Sequence, residues 1–111
     1  IEILSNGESR EFMMAKAKAL LSTGQKPEVL HLFHQLTQSF PTWADGFNSY
    51  GCCLKNMHRY SEAIPHLKQA IILDPGHIKA AFALSSIYKA NGMIEIACNI
   101  KSNCLNNFKI N

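Results

Sequence analysis

Apolar residues recur three and four positions apart along this chain, the period of amphipathic helices, and the pattern predicts six of them. It is clearest between residues 44 and 77. A first helical stretch there carries Phe47, Tyr50, Gly51 and Leu54, and a second carries Ala63, Leu67, Ala70 and Ile71. Lys55-Asn56-Met57-His58-Arg59 reads as a short polar turn between them. Asp74-Pro75-Gly76 ends the second helix, because Pro75 bars the preceding residue from helical geometry and Gly76 tolerates a positive φ. The stretch predicts an αα-hairpin.

Similar patterns lie on either side. A helix is expected from Ser9 to Thr23, with Ser9 as its N-cap and Gly24 as its stop. Phe12 occupies the place a capping-box glutamate would take, so the box is absent. Pro27 suits the first turn of the next helix, which carries Val29, Leu32, Phe33 and Leu36 and stops at Phe40-Pro41. The second helix of the middle pair is expected to start at Ser61, with Glu62 in its first turn. Pro65 there costs at most one early hydrogen bond and no large kink. The last pair opens near Gly76-His77 and turns at Asn91-Gly92. Its second helix shows Ile94, Ala97, Ile100, Cys104 and Phe108 on one face. Asn99, Lys101, Ser102, Asn103, Asn106 and Asn107 lie on the other, the polar outer face of a terminal element. Residues 1–9 hold Ile1, Ile3 and Leu4 before a Ser5-Asn6-Gly7 break, and read as a linker or the tail of an earlier repeat.

The spacing Phe47-x2-Tyr50-Gly51-x2-Leu54, Ala63-x3-Leu67, Ala70, Pro75 resembles the tetratricopeptide (TPR) repeat, Trp-x2-Leu-Gly-x2-Tyr, Ala-x3-Phe, Pro. Large residues in this pattern fill the space between two helices, and Gly51, Ala63 and Ala70 mark where the backbones approach. One repeat earlier, Met13, Ala17, Leu20, Val29, Phe33, Leu36 and Pro41 fit, and Lys16 departs. One repeat later, Ala81, Leu84, Ser85, Tyr88, Ala97 and Cys104 fit, and Lys101 and Lys109 depart. The resemblance implies an all-α fold, a TPR-type α-solenoid of about six antiparallel helices in three helix-turn-helix repeats. The expected layout is a single domain over 1–111: a leader at 1–9, then repeats at 10–43, 44–77 and 78–111, the last degenerate and capping.

With 111 residues the chain is one domain's worth, and 47% hydrophobic with 17% charged residues is an ordinary globular balance. No apolar run reaches the length of a membrane span. A net charge of +3 is too small to argue for nucleic acid. No secretory signal is visible, and a start at Ile1 rather than Met reads as a piece of something longer. Cys52 and Cys53 are adjacent on a helix, a poor geometry for bonding each other, and Cys104 takes the place of Ala70 as a small packing residue. All four cysteines are expected reduced, which places the protein in a reducing compartment, the cytoplasm.

The chemistry-bearing residues do not assemble into a catalytic set. The eight acidic residues are scattered, and no phosphate-binding loop or nucleophile–base pair can be assigned. His31 and His34 are three apart but lack further ligands at matching spacing, and read as a solvated helix face. Cys52-Cys53 as a redox or metal pair would need an electropositive pocket, and Lys55 is the nearby cation by sequence. The expectation is a non-enzyme without cofactor or metal.

What remains is a binding surface. The resemblance implies that the first helix of each repeat lines a concave groove. The inward positions are then Glu11, Met14, Lys18, Leu21 and Ser22; Asp45, Asn48, Cys52, Lys55 and Asn56; and Lys79, Phe82, Ser86, Lys89 and Ala90. Lysines outnumber acids, and Met14, Leu21 and Phe82 add apolar anchors. Such a face suits an acidic peptide or partner protein with apolar anchors, or its lysines are simply solvated. Family members that grip acidic chaperone tails use Lys, Asn, Asn, Lys and Arg where this chain has Met14, Lys18, Ser49, Lys79 and Ala83. Only Lys79 agrees, which argues against chaperone-tail binding. Two further readings stand beside the peptide-binding module. Arrays of this type also resemble segments that position substrate for glycosyl- or sulfotransferase domains, the enzyme lying outside these residues. The third reading is a homo-oligomer formed by end stacking, because an uncapped solenoid end can stack on its like.

Overall fold

The computed structural model describes residues 9–110. Six helices follow one another: α1 (Arg10–Ser22), α2 (Lys26–Ser39), α3 (Ala44–Asn56), α4 (Tyr60–Leu73), α5 (Ile78–Ala90) and α6 (Ile94–Ile110). They pair as α1–α2, α3–α4 and α5–α6, and each pair stacks on the next, α3 against α2 and α5 against α4 and α3. This is the three-repeat, TPR-type all-α solenoid the spacing predicts. Of the leader expected at residues 1–9, all but Ser9 lies outside the described residues.

The same local chemistry closes each helix pair. Gly24, His58 and Gly92 sit one repeat apart, and all three have a left-handed backbone, with φ of 79°, 62° and 82°. In each turn the next amide reaches back to the last turn of the leading helix: Gln25 N–H to Leu20 C=O (3.1 Å), Arg59 to Leu54 (2.9 Å) and Met93 to Tyr88 (2.9 Å). This is the Schellman arrangement, which satisfies carbonyls that a helix end leaves free. Glycine takes the geometry without strain at two of the turns, while His58 takes it with a Cβ. The middle turn is shorter than the sequence suggests, since Lys55 and Asn56 complete α3.

Between repeats, proline sets the break. Phe40 and Asp74 precede Pro41 and Pro75 and are non-helical, with φ −128° and −142°. Gly76 is not left-handed, contrary to expectation. Its reason for being glycine is space: a Cβ there would stand 3.3 Å from the Phe108 backbone, where α6 crosses the α4–α5 turn. Helix α4 begins at Tyr60, one residue earlier than expected, so Ser61 lies inside its first turn and Arg59 takes the N-cap place. The helix continues unbroken through Pro65. Arg59 forms a two-pronged hydrogen-bonded pair with Glu62, and that pairing holds the Glu62 carboxyl below its ordinary range.

Two apolar clusters hold the stack. Met13, Ala17, Val29, Phe33 and Leu36 centre the first, and Cys53 of the following repeat enters it. Leu54, Ala63, Leu67 and Ala70 centre the second, which takes in Ala80, Leu84 and Ile87 of α5. The leading helices α3 and α5 thus help to complete the core of the repeat before them, as a solenoid requires. Of the signature residues, Gly51, Leu54, Ala63, Leu67 and Ala70 are buried, and Phe47 and Tyr50 are half-buried. Pro75 is exposed, so it acts as a helix stop and not as packing. At Gly51 an added Cβ would stand 2.7 Å from Leu67 Cγ, so the two helices meet there with no room for a methyl group. The outer surface of α6 is not polar throughout: Ile94, Ile96, Leu105 and Phe108 are exposed beside its asparagines.

Candidate functional site

The leading helices α1, α3 and α5 begin at equivalent N-cap positions, Ser9, Trp43 and His77. The Ser9 hydroxyl accepts from Phe12 N–H at 3.2 Å. The His77 ring does the same job, its Nδ1 accepting from Ala80 N–H at 3.2 Å. Its other nitrogen, Nε2, lies 2.7 Å from Asp45 Oδ1 and ties the start of α5 to the first turn of α3. Trp43 has no acceptor to offer a helix terminus and makes no side-chain cap. Its ring instead meets Phe40 edge-on at 6.5 Å, and the Arg10 guanidinium stands 4.8 Å from it.

A cleft of about 170 Å³ opens between the body of α1 and the first turns of α3 and α5, lined by Met14, Lys18, Trp43, Asp45, Asn48, Ser49 and Lys79. Three repeats contribute to it, so it exists only in the stacked array. Lys18 and Lys79 are exposed, and among the described residues neither forms an ion pair with a carboxylate. An apolar wall, an amide, two ammonium groups and one carboxylate, Asp45, whose Oδ1 is held by His77, leave the cleft with a surplus of positive charge, a surface suited to a carboxylate carried on an apolar or aromatic neighbour. Trp43, Ser49 and His77 were missing from the groove set. The signal for two of them was present, since Trp43 and His77 stand at the N-cap place one and two repeats after Ser9.

The remaining groove positions divide. Met14 and Asn48 line the cleft but are only 8% exposed each, so neither is the open anchor the pattern suggests. Met14 belongs to the first apolar cluster, beside Trp43. The equivalent Phe82 has no further leading helix after it among the described residues and is 41% exposed. Leu21 and Lys89 are also exposed, Lys55 is half-buried, and Ser86 spends its hydroxyl on the Ala83 carbonyl at 3.1 Å. These lie along the face beyond the cleft and do not line it.

Cys52 is half-buried and its thiol donates to Asn48 Oδ1 at 3.5 Å. Burial pushes its pKa up, while Lys55 and Lys79 pull the other way and do not prevail. Lys79 is a cation that only the fold brings near. Cys53 is likewise pushed up by burial, so neither thiol is an activated nucleophile. All four cysteines are unpaired, Cys104 buried and Cys98 exposed. His31 and His34 are both exposed, and His34 turns its ring edge toward Tyr50. Among the described residues no group of three or more His, Cys, Asp or Glu side chains is placed to hold a metal ion. No helix among them is long and apolar enough to cross a membrane.

No protein-family model matches the chain, and no curated protein does. Solved structures do. A crystal structure of MamA superposes with a TM-score of 0.81 at 19% identity, over 91% of this chain and 59% of that one. A second crystal structure of the MamA protein gives 0.79 at 19% identity, over 91% and 55%. A third, MamA of MSR-1, gives 0.74 at 19% identity, over 91% and 58%. This chain therefore spans less than two thirds of the length of these neighbours. At such identity the likeness is one of fold: helix-turn-helix repeats of tetratricopeptide type, stacked into an α-solenoid.

Proposed function

We propose that the chain is a non-catalytic protein-interaction module whose leading-helix face holds an acidic segment of a partner protein. The observation that carries this reading is the cleft in which Lys18 and Lys79, from two repeats apart, flank Trp43 and Asn48 without a carboxylate partner. Each lysine would meet an acidic side chain or a chain-terminal carboxylate, with Trp43, Leu21 and Phe82 as apolar contacts. Charge of this kind sets approach rate and specificity, and the aromatic contacts carry affinity.

The test is a scan of immobilised acidic and neutral decapeptides, followed by calorimetry on those that bind. Lys18→Glu and Lys79→Glu should each weaken acidic peptides about tenfold. The exposed control Ser102→Glu on α6 should leave binding unchanged. Affinity unchanged from the parent in both lysine variants, with normal melts, would overturn the proposal.

End-to-end self-assembly is a second reading, favoured by the part-exposed Phe82, Leu105 and Phe108 on the last repeat, 41%, 39% and 55% exposed. Light scattering at several protein concentrations tests it, and a constant monomer mass rejects it.

A further inference from the structure

A larger groove lies on the other face of the stack, in the valley between α4 and α6. It measures about 440 Å³, within the range of small-ligand and anchor pockets. Leu84 and Tyr88 of α5 and Ile100 of α6 line it, with Ile72 and Ile96 on its sides. Lys68 and Asn103 supply polar groups from α4 and α6. Ile72 and Ile96 are 70% and 47% exposed, an unusual state for a pair of isoleucines facing one valley.

The preceding valley, between α2 and α4, shows what belongs in such a space. The residues one repeat before Lys68, Leu84 and Ile100 are His34, Tyr50 and His66. There the rings of Tyr50 and His66 stack at 4.2 Å, and His34 meets Tyr50 edge-on at 6.5 Å. The first valley is filled by its own aromatic rings. In the second, those rings are replaced by the aliphatic side chains of Leu84 and Ile100. The flanking positions change in the opposite sense: Gln38 and Glu62 of the first valley correspond to Ile72 and Ile96 of the second. The second valley has thus exchanged the Tyr50–His66 stack for two aliphatic side chains, keeps a single ring in Tyr88 where the first valley has Leu54, and gains apolar walls.

We propose that the α4–α6 valley is a second binding site, which takes an aromatic side chain flanked by a carboxylate on a segment of a partner protein. The ring would lie over Leu84 and Ile100, where the first valley holds Tyr50 and His66. Ile72 and Ile96 would close on its edges. The carboxylate would meet Lys68, which among the described residues has no carboxylate partner of its own. Aromatic anchors in apolar pockets dominate the energetics of protein interfaces, and a flanking charge adds specificity. This site shares no residue with the Lys18–Lys79 cleft, so either can fail without the other.

The experiment uses protein labelled at isoleucine δ-methyl groups, which places reporters in the groove at Ile72, Ile96 and Ile100. Other isoleucines, such as Ile64 and Ile78, serve as references. N-acetyl-Asp-Trp-amide is titrated to millimolar concentration beside N-acetyl-Asn-Trp-amide, N-acetyl-Asp-Leu-amide and indole-3-propionate. The groove methyls should shift with the Asp-Trp probe, and the Asn-Trp and Asp-Leu probes should bind several-fold more weakly. Lys68→Gln should abolish the preference for Asp over Asn and leave the ring's contribution. The double variant Ile72→Gln/Ile96→Glu, which restores the walls of the first valley at exposed positions, should weaken Asp-Trp binding about tenfold. Leu84→Tyr/Ile100→His, which restores the rings, should abolish it. The wall variant keeps the test decisive if the buried Leu84 change impairs folding. Absence of groove shifts, shifts confined to the leading-helix face, or unchanged affinity in the wall variant would each overturn the proposal. Tighter binding of indole-3-propionate than of the Asp-Trp probe would overturn the protein segment as the occupant.

Discussion

The middle and last repeats close the same helix pair with different chemistry. At the point of nearest approach the middle repeat sets Gly51 against Leu67, with no space for a Cβ. The last repeat sets Ser85 and Lys101 at those places. Ser85 is 1% exposed, and its hydroxyl donates to the Ala97 carbonyl at 2.9 Å. Lys101 is half-buried and lays its ammonium over the Phe82 ring of α5, 5.1 Å from the ring centre. The geometry of the crossing demands a small residue, and a serine meets that demand provided its hydroxyl finds an acceptor. Opposite it, an aliphatic stem suffices where a leucine is found elsewhere. Size is fixed by the crossing, whereas polarity is not.

The sharpest way to break this comparison is truncation of the two large partners. Leu67→Ala should cost about 2–5 kcal/mol, because Leu67 is fully buried at the centre of the second cluster. Lys101→Ala should cost less than about 1 kcal/mol, since it removes a stem at the edge of the stack. Urea unfolding of both variants checks the ordering, and equal losses would mean the last repeat is packed like the middle one.

The small partners come next. Gly51→Ala should destabilise by about 1–3 kcal/mol through overpacking against Leu67. Ser85→Ala should cost about 1 kcal/mol, the worth of one buried hydrogen bond. A Gly51→Ala melt that matches the parent would show that the helices can separate without loss, against the close approach seen here.

The turns give a smaller and opposite effect. His58 holds the left-handed position that Gly24 and Gly92 occupy in the flanking repeats. His58→Gly should relieve strain and raise stability by roughly 0.5–1 kcal/mol, reduced by loss of the 2.7 Å contact between His58 Nδ1 and Tyr60 Oη. A lower melting temperature would mean that contact outweighs the backbone term.

The smallest effect distinguishes His66 from its counterpart Ile100. Burial first, and then the nearby His34, hold the His66 pKa below its ordinary value, with Glu62 opposing. The unfolded chain therefore takes up a proton at higher pH than the folded one. Stability should be fullest above the unfolded value, near pH 6.5, and fall as pH drops from there toward the lowered folded value. Thermal melts between pH 7.5 and 5.5 should show this decline, and His66→Phe should flatten it while keeping a ring against Tyr50. An unchanged slope in His66→Phe would assign the dependence to other groups.

Much of the architecture follows from the sequence because helix period, proline stops and small-residue spacing are local signals. Six helices, their order and the Gly51–Leu67 contact can be read from residue type and spacing alone. So can the Ser9 cap and the Gly24 turn, where one residue's conformational preference decides the outcome. Gly76 shows the limit: a glycine after a proline suggests a turn conformation, yet its place is set by α6 crossing above it. The candidate sites depend still more on assembly. Lys18 and Lys79 are 61 positions apart and flank one cleft only because three leading helices stack. Met14, Asn48 and Phe82 share a repeat position, yet the first two are 8% exposed and Phe82 is 41% exposed. Sequence determined which residues could face a partner. Stacking decided which of them stay exposed, because exposure belongs to the packed array and not to the residue.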